Sequence, residues 1–166
     1  MSKIDFKKAW FAANYIYLPS VDSAERVAKI IGGRVAFNIK DVAKEHQWRN
    51  TCAVRMSYIL NQSGLKVPAT MGKTSSGADG SHYFFRVKDL TVFLTTNLGR
   101  PEVLNKNSQI STLSDKKGIL LFEVSGWGDA TGHATLFDGS TCYDACYFNY
   151  DEARYRSNRI LFWELK

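Results

Sequence analysis

Apolar residues recur at helical spacing in the first third of the chain, where they predict three helices. The three helices cover residues 4–17, 24–31 and 52–62. Pro19 ends the first helix and Gly32 the second, because neither residue continues a helix easily. Asn50 or Thr51 caps the third helix, whose apolar face is expected to pack on a sheet and hold its first turn rigidly.

The pattern changes after residue 65. Glycine, proline and serine dominate residues 66–81 and predict a loop, followed by a short strand and one more helix. Apolar runs with strand character then fill the last third. The predicted strands are residues 83–87, 118–124, 132–137, 141–147 and 159–165, and the helix is residues 88–97. Helices followed by antiparallel strands predict an α+β fold with helices packed on a sheet.

The composition is that of a globular protein. With 166 residues and 45% hydrophobic content, the chain suits one domain over residues 1–166. Its apolar runs are too short to span a membrane. Residues 1–8 do not form the continuous apolar segment of a secretory signal. We therefore expect a protein that stays in the cytosol or leaves it by a route without a cleavable leader.

Charge and cysteine content limit the kinds of partner and cofactor to be expected. The net charge of +6 is dispersed, so a nucleic-acid partner is not expected, whereas an anionic polymer such as cell-wall material is compatible with it. The three cysteines fit either one pair with a free thiol or three reduced thiols. Cys142 and Cys146 have no second Cys or His pair nearby, so we expect no metal and no cofactor.

Cys52 is the strongest candidate for chemistry. It begins a predicted helix, where the helix dipole and free N–H groups favour the reactive thiolate. His133 follows Gly132 at the start of a predicted strand far downstream, which is the order found in papain-like cysteine hydrolases. His46 and His82 are the alternatives to His133. A lone buried cysteine without chemistry is the competing interpretation of Cys52.

A hairpin register proposes the third member of the site. Asp138 and Gly139 predict a two-residue turn, which would place His133 opposite Asp144 with Cβ atoms about 5 Å apart. Asp129 and Asp138 are the alternative acids. Cys142 and Cys146 would lie about 13 Å apart in an unbroken strand, too far for a disulfide. A bridge between them therefore requires the strand to break at residues 143–145, and we expect both the bridge and the break.

The groups that bind substrate are less well determined by the sequence. The backbone N–H of Cys52 is the natural oxyanion donor for this architecture. Gln47 or Asn50 would add a side-chain donor. Trp48 and Trp127 adjoin the two candidate catalytic segments and are candidates to line a substrate groove, together with Asn50.

Three segments together resemble a known family. They are residues 50–57 (NTCAVRMS), residues 132–139 (GHATLFDG) and the Cys142-x-Asp144-x-Cys146 spacing. They resemble the type VI secretion amidase effectors of family four, whose fold is similar to that of the NlpC/P60 cell-wall peptidases. The likeness extends over most of the chain. The first and third segments are its specific parts.

This resemblance implies a function. Cys52 would be the nucleophile, His133 the base and Asp144 its orienting partner, with Cys142 and Cys146 bridged. The implied substrate is the peptidoglycan stem peptide, cut at the amide between D-glutamate and meso-diaminopimelate. The protein would be delivered by the type VI apparatus to the periplasm of target bacteria, and a cognate immunity protein would protect the producer. A Cys-His acyltransferase and a non-enzymatic wall-binding module are the alternatives.

Overall fold

A computed structural model describes residues 3–127 and 132–166 of the chain. The helices and strands of these residues form a mixed α+β architecture. The α-helices are α1 (Phe6–Ile16), α2 (Ser23–Ile31), α3 (Gly33–Ala36), α4 (Cys52–Ser63) and α5 (Val87–Leu98). The strands are β1 (Thr74–Ser76), β2 (His82–Phe84), β3 (Glu102–Leu104), β4 (Gly118–Ser125), β5 (Gly132–Phe137) and β6 (Arg156–Glu164). A π-helical turn (Phe37–Asp41) and two 3₁₀ turns (Lys44–His46 and Ile110–Leu113) complete the set.

Two antiparallel sheets are present among the described residues. The larger sheet has the order β3-β6-β4-β5, and the smaller one pairs β1 with β2. Strand β4 lies inside the larger sheet, and five of its eight residues are both consecutive and buried. Such a continuous apolar run is typical of a strand covered on both faces. Strand β5 is buried along its whole length and carries His133.

Helix α4 is the buried helix against which the sheet packs. Ten of its twelve residues are buried, including Met56, Ile59 and Leu60, which share one core with Leu121 and Leu136 of the sheet. The side chain of Ser57 accepts the backbone N–H of Phe84 at 2.9 Å and so ties β2 to this helix. These contacts fix the position of the first turn of α4, where Cys52 lies.

The structure confirms the predicted fold class and most of the long elements. The strand predicted at 141–147 is broken, as the expected Cys142–Cys146 bridge required, and only an isolated bridge between Phe137 and Cys142 remains of it. The Cys142–Cys146 disulfide brings the two Cα atoms to 5.5 Å, which an extended strand does not permit. The prediction also missed α3, β3 and strand β1, which lies inside the predicted 66–81 loop. In the part of the chain that the structure describes, no helix has the length and apolar character needed to cross a membrane.

Candidate active site

Cys52 is the first residue of α4 and lies at the edge of the core. Its backbone N–H donates to Oδ1 of Asn50 at 3.0 Å, and its sulfur lies 3.7 Å from the carbonyl oxygen of Gly132. The residue is only 2% exposed. The sequence therefore placed this thiol correctly at a helix N-terminus, but it lies beneath the surface.

His133 reaches this thiol from the neighbouring strand. On β5 it pairs with Phe122 of β4, and its side chain is buried. The preceding residue must be small, because a Cβ atom on Gly132 would lie 2.8 Å from the carbonyl oxygen of Phe122. Glycine at this position thus has a packing reason, because it lets the start of β5 lie close to β4. The next residue, His133, contacts Cys52.

The turn after β5 differs from the predicted one. The carboxylate of Asp138 accepts the backbone N–H groups of Ser140 (2.9 Å) and Thr141 (2.8 Å), which makes a four-residue loop instead of a two-residue turn. Phe137 consequently bridges Cys142. The expected pairing of His133 with Asp144 is therefore wrong by two residues. A shift of two keeps the same face of the strand, so both side chains still meet.

Four contacts hold the carboxylate of Asp144. Its Oδ1 accepts the hydroxyl of Thr135 at 2.5 Å and the backbone N–H of Ala145 at 2.6 Å. Its Oδ2 lies 3.0 Å from Nε2 of His133 and 2.9 Å from Nη1 of Arg55. The contact with His133 is an ion pair that does not meet the geometry of a hydrogen bond. The disulfide that encloses Asp144 fixes the backbone on both sides.

The charged groups of this cluster shift one another's pKa values. Burial alone would raise the pKa of the Cys52 thiol, but the hydrogen bond and positive charge of His133 lower it below the usual value. Burial also opposes the charged form of His133, yet contacts with Asp144 and Cys52 raise its pKa to about 9. Burial of Asp144 is likewise outweighed by His133, which lowers the carboxyl pKa to about 2. The cluster thus favours a thiolate, an imidazolium and a carboxylate.

A hollow of about 290 Å³ opens beside these residues. It is lined by Ser23, Arg49, Asn50, Thr51, Arg55, Trp127, His133 and Tyr147. Tyr147 packs edge-on against both His133 and Trp127, with ring centroids 4.8 Å apart in each pair. Cys52 is not among the lining residues, which agrees with its burial.

The other candidates from the sequence lie elsewhere. His46 is exposed on a 3₁₀ turn and His82 is in β2, and neither lines the hollow. Trp48 stacks on Phe85 at 4.8 Å, and the amide of Gln47 donates to the carbonyl of Lys40. Of the predicted substrate-binding residues, the hollow contains Asn50 and Trp127. Asp138 caps its turn, as expected, and Asp129 lies outside the described residues.

Sequence reasoning missed Arg55 and Thr135 as members of the cluster. Arg55 is three residues after Cys52, which puts both on one face of a helix. Thr135 is two residues after His133, which puts both on one face of a strand. Those two periodicities were the available signals. Among residues 3–127 and 132–166, no group of three or more His, Cys, Asp and Glu side chains could hold a metal ion.

The fold and the cluster define the class of protein. Helices packed on an antiparallel sheet, with a cysteine at a helix N-terminus and a histidine on the adjacent strand, form an NlpC/P60-like papain fold. Residues 48–163 match the model of the Tae4 family, described as type VI secretion system amidase effector protein 4. The chain belongs to this family of amidase effectors, antibacterial enzymes that target peptidoglycan.

Solved structures agree with this assignment. The chain is similar to the effector in a Tae4-Tai4 effector-immunity complex from Enterobacter cloacae, with 35% identity and a TM-score of 0.86 over 99% of this chain and 100% of that one. It is also similar to Tae4 from Salmonella typhimurium in complex with the immunity protein Tai4 from Enterobacter cloacae. That match has 33% identity and a TM-score of 0.84 over 98% of this chain and 99% of that one. No curated protein matches the sequence.

Proposed function

We propose that Cys52, His133 and Asp144 are the catalytic residues of a cysteine amidase. The observation that carries this proposal is the 3.0 Å contact between the Asp144 carboxylate and Nε2 of His133, whose ring also contacts Cys52. A thiol attacks only as the thiolate, and this arrangement favours the thiolate despite its burial. A cysteine that is merely part of the core has no need of a buried ion pair beside it.

The proposed substrate is the stem peptide of peptidoglycan, cut at the amide between D-glutamate and meso-diaminopimelate. Support comes from membership of the amidase effector family and from the three segments that resemble it. We further propose that the whole chain acts as one catalytic domain in the periplasm of target bacteria. The known Tae4-Tai4 complexes support a cognate immunity protein that binds this chain in the producing cell.

The proposed mechanism is acyl transfer to sulfur followed by hydrolysis. The Cys52 thiolate attacks the amide carbonyl, and the His133 imidazolium protonates the leaving amine. A water molecule, deprotonated by the now neutral His133, then hydrolyses the thioester and regenerates the thiol. Asp144 keeps the ring oriented and stabilises its charged form throughout.

Asn50 and side chains that line the hollow must move for this reaction to occur. The N–H of Cys52 is the natural oxyanion donor, but it donates to Asn50 in the structure. A developing oxyanion is a stronger acceptor than an amide oxygen and would displace Asn50 from that N–H. Cys52 is 2% exposed, so side chains that line the hollow, such as Trp127 and Tyr147, would move aside when substrate enters.

Digestion of purified muropeptides, followed by mass spectrometry, tests the proposal. The wild type should release the free carboxylate and amine of the proposed amide, whereas Cys52→Ala and His133→Ala should release neither while remaining folded by circular dichroism. Full activity of either variant would refute the assignment. Products joined to a second amine would indicate an acyltransferase. Binding of intact peptidoglycan without cleavage would indicate a wall-binding module.

A further inference from the structure

The described side chains that line the hollow beside Cys52 carry positive charge and no negative charge. Its lining includes Arg49, Arg55 and His133, and none of the described residues that line it is Asp or Glu. The N-terminus of α4 also ends there, and its dipole adds positive potential. An anionic group entering this hollow would therefore meet cationic or neutral side chains among the residues that the structure describes.

Charge pairing within the cluster leaves Arg49 in excess. Arg55 and His133 share the carboxylate of Asp144, and the Cys52 thiolate balances the second positive charge. Arg49 is exposed, and within residues 3–127 and 132–166 it forms no ion pair. One positive charge at the mouth of the hollow thus remains available to a ligand.

Two polar atoms beneath this surface also have no hydrogen-bond partner in the described part of the chain. The hydroxyl of Thr51 and Nε of Arg55 form no hydrogen bond with the described residues, and both residues are buried, at 2% and 6% exposed. Leaving a buried donor unpaired is destabilising, so such atoms usually serve a ligand or a conformational change. Both residues line the hollow, and both can donate to an oxygen atom.

We infer that this hollow is a subsite for a carboxylate next to the scissile amide. The inference rests on the proposed function, since it concerns the substrate of the same site. Glutamate has two carboxyl groups, and the scissile amide consumes only one of them. The other remains free beside the bond that Cys52 attacks, unless it has been converted to a carboxamide. The enzyme therefore prefers stems with the free carboxylate over stems with the carboxamide at this position.

Thiol alkylation measures the subsite without any amidase assay. Iodoacetate and iodoacetamide differ only in that one carries a carboxylate and the other a carboxamide. A thiolate without nearby positive charge repels iodoacetate and so reacts faster with iodoacetamide. In the wild type, Cys52 should react faster with iodoacetate than with iodoacetamide at neutral pH. Arg49→Gln should lower that rate ratio about fivefold, the effect of one solvent-screened charge. Arg100→Gln, an exposed arginine outside the hollow, is the matched control and should leave the ratio unchanged.

Two stem peptides complete the test, one with a free carboxylate on the glutamate and one with a carboxamide. The wild type should show a higher kcat/KM for the carboxylate peptide, and Arg49→Gln should reduce the ratio between the two peptides. Equal cleavage of both peptides would overturn the subsite and leave the amidase proposal intact. Cleavage of neither would refute the proposed function, while the alkylation ratio still decides the subsite. A Cys52 thiol inert to both reagents would overturn the subsite, because the hollow would not lead to the sulfur.

Discussion

Arg55 donates from Nη1 to Oδ2 of Asp144 at 2.9 Å, on the same oxygen that His133 contacts. The guanidinium also lies over the rings of Tyr17 and Tyr143, 5.0 Å and 5.7 Å from their centroids. Two cations thus share one buried carboxylate oxygen, and aromatic faces cover the charge of the arginine. Buried charges are tolerated only when they are paired, so this arrangement explains how a charged cluster exists inside the core.

The first prediction concerns Arg55. Arg55→Met should raise the pKa of the Cys52 thiol, because a positive charge that stabilises the thiolate is removed. It should also reduce the free energy of unfolding by about 3–5 kcal/mol, the usual effect of breaking a buried ion pair. The pH dependence of iodoacetamide alkylation and urea denaturation measure the two effects. Arg55→Lys keeps the positive charge, so the pKa of Cys52 in this variant should lie close to the wild-type value. A pKa as high as in Arg55→Met would mean that the shape of the arginine matters and its charge does not.

The second prediction concerns Asp144. In Asp144→Asn the carboxylate that supports the imidazolium is lost, so the pKa of His133 should fall from about 9. The alkaline limb of the activity profile should move to lower pH, and kcat should fall by about 10²–10⁴-fold. A pH–rate profile together with NMR titration of His133 measures both. An unchanged alkaline limb would remove Asp144 from the proposed triad.

The third prediction concerns the disulfide. Replacing Cys142 and Cys146 with serine should lower the free energy of unfolding by about 2 kcal/mol, as chain entropy predicts for so short a loop. Activity should fall as well, because Asp144 lies inside the closed loop. Urea denaturation and muropeptide digestion measure these changes. Dithiothreitol should destabilise the wild type but not the double variant, which serves as the control.

The fourth prediction concerns stability against pH. The pKa of His133 is raised to about 9, so its contribution to stability is complete below the unfolded value near 6.5 and disappears as pH rises through 9. The pKa of Asp144 is lowered to about 2, so its contribution is present above the unfolded value of 3.8 and disappears as pH falls through 2. The melting temperature of the wild type should therefore decline at alkaline pH and again at acidic pH. His133→Gln should lose the alkaline decline; retention of that decline would contradict the assignment.

The sequence predicted the position of the main site residues better than their register. Helical spacing placed Cys52 at the start of α4, and strand parity placed His133 and Asp144 on one face. The register was wrong because the Asp138 side chain accepts two N–H groups and lengthens the turn, a contact that depends on loop geometry and not on residue type alone. Strand parity survived this error, since the loop changed the pairing by an even number of residues.

Other parts of the structure had weak signals in the sequence. Strands β1 and β3 have three residues each, which is too short for alternation to stand out from loop composition. Arg55 was visible in the sequence as one residue of a helix. Its contact with Asp144 joins residues 89 positions apart, so only the folded chain reveals it.

The disulfide between Cys142 and Cys146 makes the position of the Asp144 carboxylate depend on the redox conditions around the protein. Glutathione and thioredoxin keep thiols reduced in the cytosol, whereas the periplasm favours oxidation. On the proposed route out of the cytosol, the segment around Asp144 would be an unbridged chain before export, and the disulfide would not yet hold the backbone around the carboxylate. Under the proposed mechanism, the protein would mature only after it leaves the cell that makes it, which limits damage to the producer.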